Sequence, residues 1–157
     1  MRKMKLFAMA GVLALLSSPL LASDKPDSAQ ACWKPAFLAG DADAVAQCYA
    51  ADAVLWLPGA PIMQGRDAIR AGYVDFFSAM TIKSVTLSEM GKSSRGDEAS
   101  SWGTYSMVYV SKADGKEITD NGRYTDVSRK IDGNWQYLVD HASADPVAAP
   151  APAASAN

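Results

Sequence analysis

Asp126 lies in Tyr124-Thr125-Asp126-Val127-Ser128, a stretch in which alternate side chains would share one face of a strand. If that face is apolar, burial holds the proton on the carboxyl and makes it a hydrogen-bond donor at neutral pH. If the face is wet, Asp126 is a surface aspartate beside Arg129 and Lys130. His141 is the single histidine of the chain. Strict alternation with Trp135, Tyr137 and Val139 puts it on the more apolar face, pointing inward. The same alternation turns the neighbouring Asp140 away, so the two cannot act together from one strand. A histidine there is either a hydrogen-bonded core residue or an acid–base group. With one histidine and no clustered cysteines or carboxylates, the sequence offers no transition-metal ligand set, and no cofactor is expected.

The aromatic residues are numerous for this size and read first as core packing, or, in a fold that leaves a hollow, as part of its lining. Trp33, Trp56 and Phe77 can serve as apolar walls of a hollow, and Tyr105, Asp126 and His141 as its polar anchors. Cys32 and Cys48 each lie about eight residues from the Gly40-Asp41 turn. An antiparallel helix pair would therefore bring them to nearly the same height. They read either as a disulfide or as two buried thiols, since a free cysteine behaves as a small hydrophobe.

The elements that must position these groups begin after the leader. Arg2, Lys3 and Lys5 precede an apolar run from Leu6 to Leu16, and small residues lead to a cleavage site after Ala22. Residues 1–22 therefore read as a signal peptide and 23–27 as a short linker, which makes the protein periplasmic or secreted. Without Arg2, Lys3 and Lys5, 12 basic residues face 17 acidic ones, a net charge of −5. The basic residues are scattered rather than striped, which excludes nucleic acid as a partner; no membrane partner is expected after signal cleavage. The Ala/Pro tail 147–157 has nothing large to bury and reads as disordered. One domain remains, over 28–146.

Within it, Cys32, Trp33, Ala36 and Phe37 fall at helical spacing over 28–39, although Pro35 either bends that helix or marks a fresh start. Asp41 caps a second helix through Tyr49. Ala53–Leu57 is a buried strand, and a Pro/Gly loop leads to an amphipathic helix over 66–80. Strands follow at 81–90, 98–112, 116–131 and 134–142. Asp114-Gly115 and Asp132-Gly133 are hairpin turns, and 91–97 is a polar connection. Asn121-Gly122 reads as a bulge or bend, and Gly103 as a bulge or a close backbone approach. Helices followed by an antiparallel meander give an α+β fold.

This order resembles the nuclear transport factor 2-like superfamily, a cone-shaped curved antiparallel sheet closed by three N-terminal helices, also called cystatin-like. Asp114-Gly115, Gly122-Arg123-Tyr124, Asp132-Gly133 and Trp135 are similar in order to the SnoaL-like bacterial branch known as domain of unknown function 4440. The resemblance extends more distantly to ketosteroid isomerases. It implies a homodimer through the outer sheet face and a pocket acid at Asp126. It also exposes two departures. Leu57 stands before Pro58 where those isomerases place their aspartate base, and Trp33 stands where they place a tyrosine. Losing a general base removes a factor of about 10²–10⁴ in rate, which argues against isomerisation of that kind.

Three functions stay open at this point. The first is an exported protein binding a small, mostly apolar molecule in the cone. The second is a cofactor-independent enzyme of isomerase, cyclase or hydratase type, with Asp126 as acid, His141 as base and Tyr105 orienting the substrate. The third is a protein-interaction module using the sheet face.

Overall fold

The computed structural model describes residues 27–146. The leader 1–22, most of the linker and the Ala/Pro tail lie outside the described residues. Helix α1 (Ala29–Ala39) starts at Ser28, whose Oγ accepts the Ala31 N–H at 3.1 Å. It runs unbroken through Pro35, so no fresh start occurs there. Proline removes one internal hydrogen bond. Deep burial of Trp33 and Phe37 on either side holds the helix together. It stops at Gly40 (φ 67°), where the Gly40 and Asp41 N–H groups bond back to Phe37 and Ala36. That reversal needs the left-handed backbone that glycine adopts freely.

Asp41 caps α2 (Ala42–Gln47) by accepting the Ala44 N–H at 2.9 Å. The helix ends before Tyr49 because the chain turns directly into β1 (Tyr49–Trp56). A disulfide joins Cys32 to Cys48, with Cα atoms 5.7 Å apart, and ties α1 to the α2–β1 junction. A two-residue strand, β2 (Met63–Gln64), precedes α3 (Arg66–Ala79). Ile69, Tyr73 and Phe77 form the buried stripe of α3.

The remaining strands are β3 (Met80–Arg95), β4 (Glu98–Ser111), β5 (Glu117–Ile131) and β6 (Asn134–Ala144). Together they make a six-stranded, unclosed curved sheet of order β2-β1-β6-β5-β4-β3. It is antiparallel except where β1 runs parallel to β6. The polar segment 91–97 is not a connection. β3 continues to Arg95 and turns at Gly96-Asp97, because this end of the hairpin projects beyond the core and has no apolar face to display. Asp114-Gly115 sits in a longer loop over 112–116, whereas Asp132 (φ 50°) and Gly133 (φ 77°) make the tight two-residue turn.

Asn121-Gly122 is neither bulge nor bend, for β5 pairs with β4 in unbroken register. Gly122 instead leaves room for the Tyr105 hydroxyl, which a side chain there would crowd. Gly103 is likewise a close approach, its Cα side facing the Ser88 carbonyl and the Tyr124 ring. The irregularities that matter lie in β3 and in the β5–β6 pairing, where Val127 opposes Val139 but Ser128 opposes Tyr137. Leu138 is the extra residue, and a single extra residue reverses which side chains face inward beyond it.

Candidate functional site

The helices and the concave face of the sheet enclose a cavity of about 540 Å³, with walls that include Phe37, Leu55, Leu57, Phe76, Met107 and Tyr109. Deeper in, a chamber of about 50 Å³ shares Trp33, Leu57, Tyr73, Tyr105, Met107 and Ala142 with it. The outer compartment is therefore mostly apolar. The inner one is where the polar groups gather, around Asp126, Asp140, Tyr124 and Tyr137.

Two hydrogen-bonded sets reach the chamber, through Trp33, Tyr73 and Asp140 and through Gln30 and Asp126. In the first, Trp33 Nε1 donates to Tyr73 Oη at 3.0 Å, the Tyr73 and Tyr49 hydroxyls lie 3.0 Å apart, and Tyr49 Oη donates to Asp140 Oδ2 at 2.7 Å. Since the Tyr49 proton is committed to Asp140, Tyr73 must donate to Tyr49, and the chain points from the indole to the carboxylate. Asp140 has partial exposure, and that surface opens into the chamber. Surrounded by protein, its carboxyl is pushed up to about 7 by burial, against the hydrogen bond from Tyr49 and with a smaller contribution from the negative charge of Asp126. Burial likewise drives the Tyr49 and Tyr137 hydroxyls well above the usual phenol range.

In the second set, Asp126 is 4% exposed. Its Oδ2 accepts from Ser101 Oγ at 2.7 Å and from Gln30 Nε2 at 3.0 Å, and Gln30 reaches Ser101 as well, at 3.0 Å. Burial raises this carboxyl above the usual range, and the Ser101 and Gln30 donors oppose the shift. Asp126 thus faces inward rather than lying wet beside Arg129, which pairs with Glu98 at 2.7 Å. On the far side of Gln30 and Asp126 a separate polar cleft of about 170 Å³ holds Glu89 and Lys92.

A profile of the SnoaL-like domain matches residues 29–138. The chain belongs to the SnoaL-like domain family. Comparison with curated proteins yields no match. Among solved structures, this SnoaL-like domain is similar to a ketosteroid isomerase-like protein from Erwinia carotovora atroseptica: 24% identity, 75% of this chain and 92% of that one, TM-score 0.67. A candidate calcium/calmodulin-dependent protein kinase II association domain from Xanthomonas campestris shares 29% identity over 73% of this chain and 81% of its own, with TM-score 0.59. A cystatin-like protein of unknown function from Nostoc punctiforme shares 20% identity over 75% and 86%, with TM-score 0.55. Neighbours below 25% identity speak for the fold alone.

The SnoaL-like domain brings some of the expected residues together and separates others. Trp33, Tyr105 and Asp126 line the interior. Tyr105 Oη reaches Asp120 Oδ1 at 3.4 Å, and burial pushes that hydroxyl up to about 12. Phe77 does not line the cavity; it packs in the core against Phe37, Tyr73 and Phe76, and Phe76 supplies the wall instead. Trp56 and His141 lie on the outer face, paired across β1 and β6 with ring centroids 5.9 Å apart. Trp56 is 42% exposed, and the neighbouring inward pair is Leu55 and Asp140. The cause is the Leu138 bulge, which reverses the facing after Tyr137. An acid–base pair of Asp126 with His141 is therefore not assembled. Alternation turns Asp140 outward because period-two reading cannot see an extra residue; Tyr49 and Tyr73 come from β1 and α3, and no spacing rule links them to it. The one signal available was Leu138-Val139, two adjacent apolar residues where alternation allows one.

Proposed function

We propose that the protein holds a small, mostly apolar molecule in its cone, with the apolar body in the outer cavity and a polar end at the inner chamber. The observation that carries this reading is the 540 Å³ space itself, large enough for a ligand and walled mainly by carbon. Steroid-like, polyketide and aromatic compounds are the classes to screen by thermal shift. A bound ligand raises apparent stability by about 2.7 kcal/mol at a hundredfold excess over its dissociation constant. A panel without a single upward shift would refute the reading. An enzymatic role in the isomerase, cyclase or hydratase manner would draw on Asp126 and Asp140, the two carboxyls of the inner chamber, while Asp75 and Asp120 line the outer cavity.

Two further expectations belong to this reading. The protein acts as a homodimer through the outer sheet face, where Trp56, Trp102 and Val127 are exposed, at 42%, 43% and 38%. Paired register sets Trp56, His141, Thr125 and Trp102 side by side across four strands. Sedimentation of Trp102→Glu should give a monomer if that face associates, and an unchanged dimer would place the interface elsewhere. It is also exported, a reading supported by the leader and by the Cys32–Cys48 disulfide. Mass analysis of the mature chain should show an N-terminus at Ser23.

A further inference from the structure

The inner chamber has an imbalance that the fold itself does not resolve. Asp126 and Asp140 are directly opposed residues of β5 and β6, and both project inward. Like charges in that relation are unfavourable, more so away from water. Each carboxyl has only its Oδ2 bonded to protein: Asp140 to Tyr49, Asp126 to Ser101 and Gln30. The Oδ1 atoms have no hydrogen-bond partner among the described residues. The Tyr124 hydroxyl, on a residue 7% exposed that lines the same chamber, is buried with no partner in hydrogen-bonding geometry among the described residues, although Gln30 and Ser101 lie close enough to oppose its burial-driven shift. No Lys, Arg or His among the described residues lines the chamber. Lys92, the cation that acts on Asp126, belongs to the cleft beyond Gln30.

We propose that the inner chamber is a binding site for a protonated amine, carried on an apolar ligand whose body fills the outer cavity and whose ammonium sits between Asp126 and Asp140. A primary ammonium has three N–H donors and no acceptor. Oxygens of chamber-lining residues with no partner among the described residues include the two Oδ1 atoms and the Tyr124 and Tyr137 hydroxyls, and three of them suffice. The rings of Trp33, Tyr73, Tyr124 and Tyr137 line the same space, and aromatic faces attract cations most strongly where water is excluded. The chamber's 50 Å³ suits a head group and excludes the body. Burial raises both carboxyls, so an empty chamber retains a proton near neutral pH, and an entering ammonium replaces it as the counter-charge.

This proposal rests on the outer cavity accepting an apolar body, and the test separates the two. The full chain is titrated calorimetrically at pH 8 with 2-naphthylmethylamine, 2-naphthalenemethanol and 2-naphthoic acid, which share a body and differ in head group. The amine should bind at least about tenfold tighter than the alcohol, and the acid weaker than either. Asp126→Asn and Asp140→Asn, both near-isosteric, should each compress the amine-to-alcohol ratio, and the double variant should bring it close to one. Equal affinities for amine and alcohol in the wild-type protein overturn the proposal and leave the apolar cavity standing. An amine preference that survives the double variant also overturns it. Binding of none of the three overturns proposal and cavity together.

Discussion

Replacing Asp140 by Asn should change the way stability depends on pH. The folded protein holds the Asp140 proton to about pH 7, against an ordinary value of 3.8. Because the folded pKa is raised, the folded state binds the proton more tightly than the unfolded chain does. Stability is full below about pH 4 and falls as pH rises towards 7, by about 1.4 kcal/mol per unit. Over that interval the loss amounts to at most about 4 kcal/mol. The neighbouring groups do not mask it. Tyr49 on β1, Tyr73 on α3 and Tyr137 on β6 face the carboxyl, and all three titrate far above the window. Asp126 on β5 is raised too and adds a loss of the same sign, which the variant keeps. Asparagine can still accept the Tyr49 proton, so the geometry should persist. Urea unfolding of both proteins at pH 4.5 and pH 8 measures the difference directly. Asp140→Asn should be more stable than wild type at pH 8 by several kcal/mol, and near it at pH 4.5. A stability difference that does not vary with pH would refute the claim that Asp140 is ionised in the folded protein only at a cost.

Other consequences follow from single contacts. Cys32→Ala/Cys48→Ala should lose about 3 kcal/mol in chemical denaturation, since the bridge closes a loop of 15 residues; a loss below 1 kcal/mol would contradict the staple. Tyr73→Phe strands the Trp33 N–H and leaves the Tyr49 hydroxyl without its donor, and should cost about 1–3 kcal/mol in the same assay. Gly122→Ala would collide with the Ser143 carbonyl and crowd the Tyr105 hydroxyl, so it should lower stability by about 1–3 kcal/mol and weaken ligand binding. An unchanged variant would show that the cavity wall tolerates movement there.

How much of this was legible beforehand depends on where strict periodicity holds. The stripe Ile69, Tyr73, Phe77 on α3 and the Asp132-Gly133 turn are local signals, and they lie where the sequence places them. So does the reversal at Gly40-Asp41. The failures share a cause, for each needed knowledge of what an element packs against. Residues 91–95 look like a loop because that end of β3 has no core beneath it. β1 begins four residues early because Ala51 and Asp52, both exposed, interrupt its apolar pattern. The gravest misreading came from Leu138. One inserted residue exchanged His141 for Asp140 at the interior, and with it the chemistry of the site. Asp126 was legible as a candidate, but its partners Gln30 and Ser101 come from α1 and β4, and no spacing rule links them.

Ligand binding depends on the hollow between helices and sheet, and a plug tests it most directly. Ala142 lines both compartments, so Ala142→Trp should fill the passage between them. Titration with the neutral, flat fluorophore N-phenyl-1-naphthylamine should give saturable binding with blue-shifted emission in the wild-type protein. Binding should weaken at least about tenfold in the variant, because the indole also intrudes on the outer cavity that takes the flat body, with the far-ultraviolet circular dichroism of the fold unchanged. Undiminished affinity in the variant, or no saturable binding in the wild type, would contradict a ligand-holding cone.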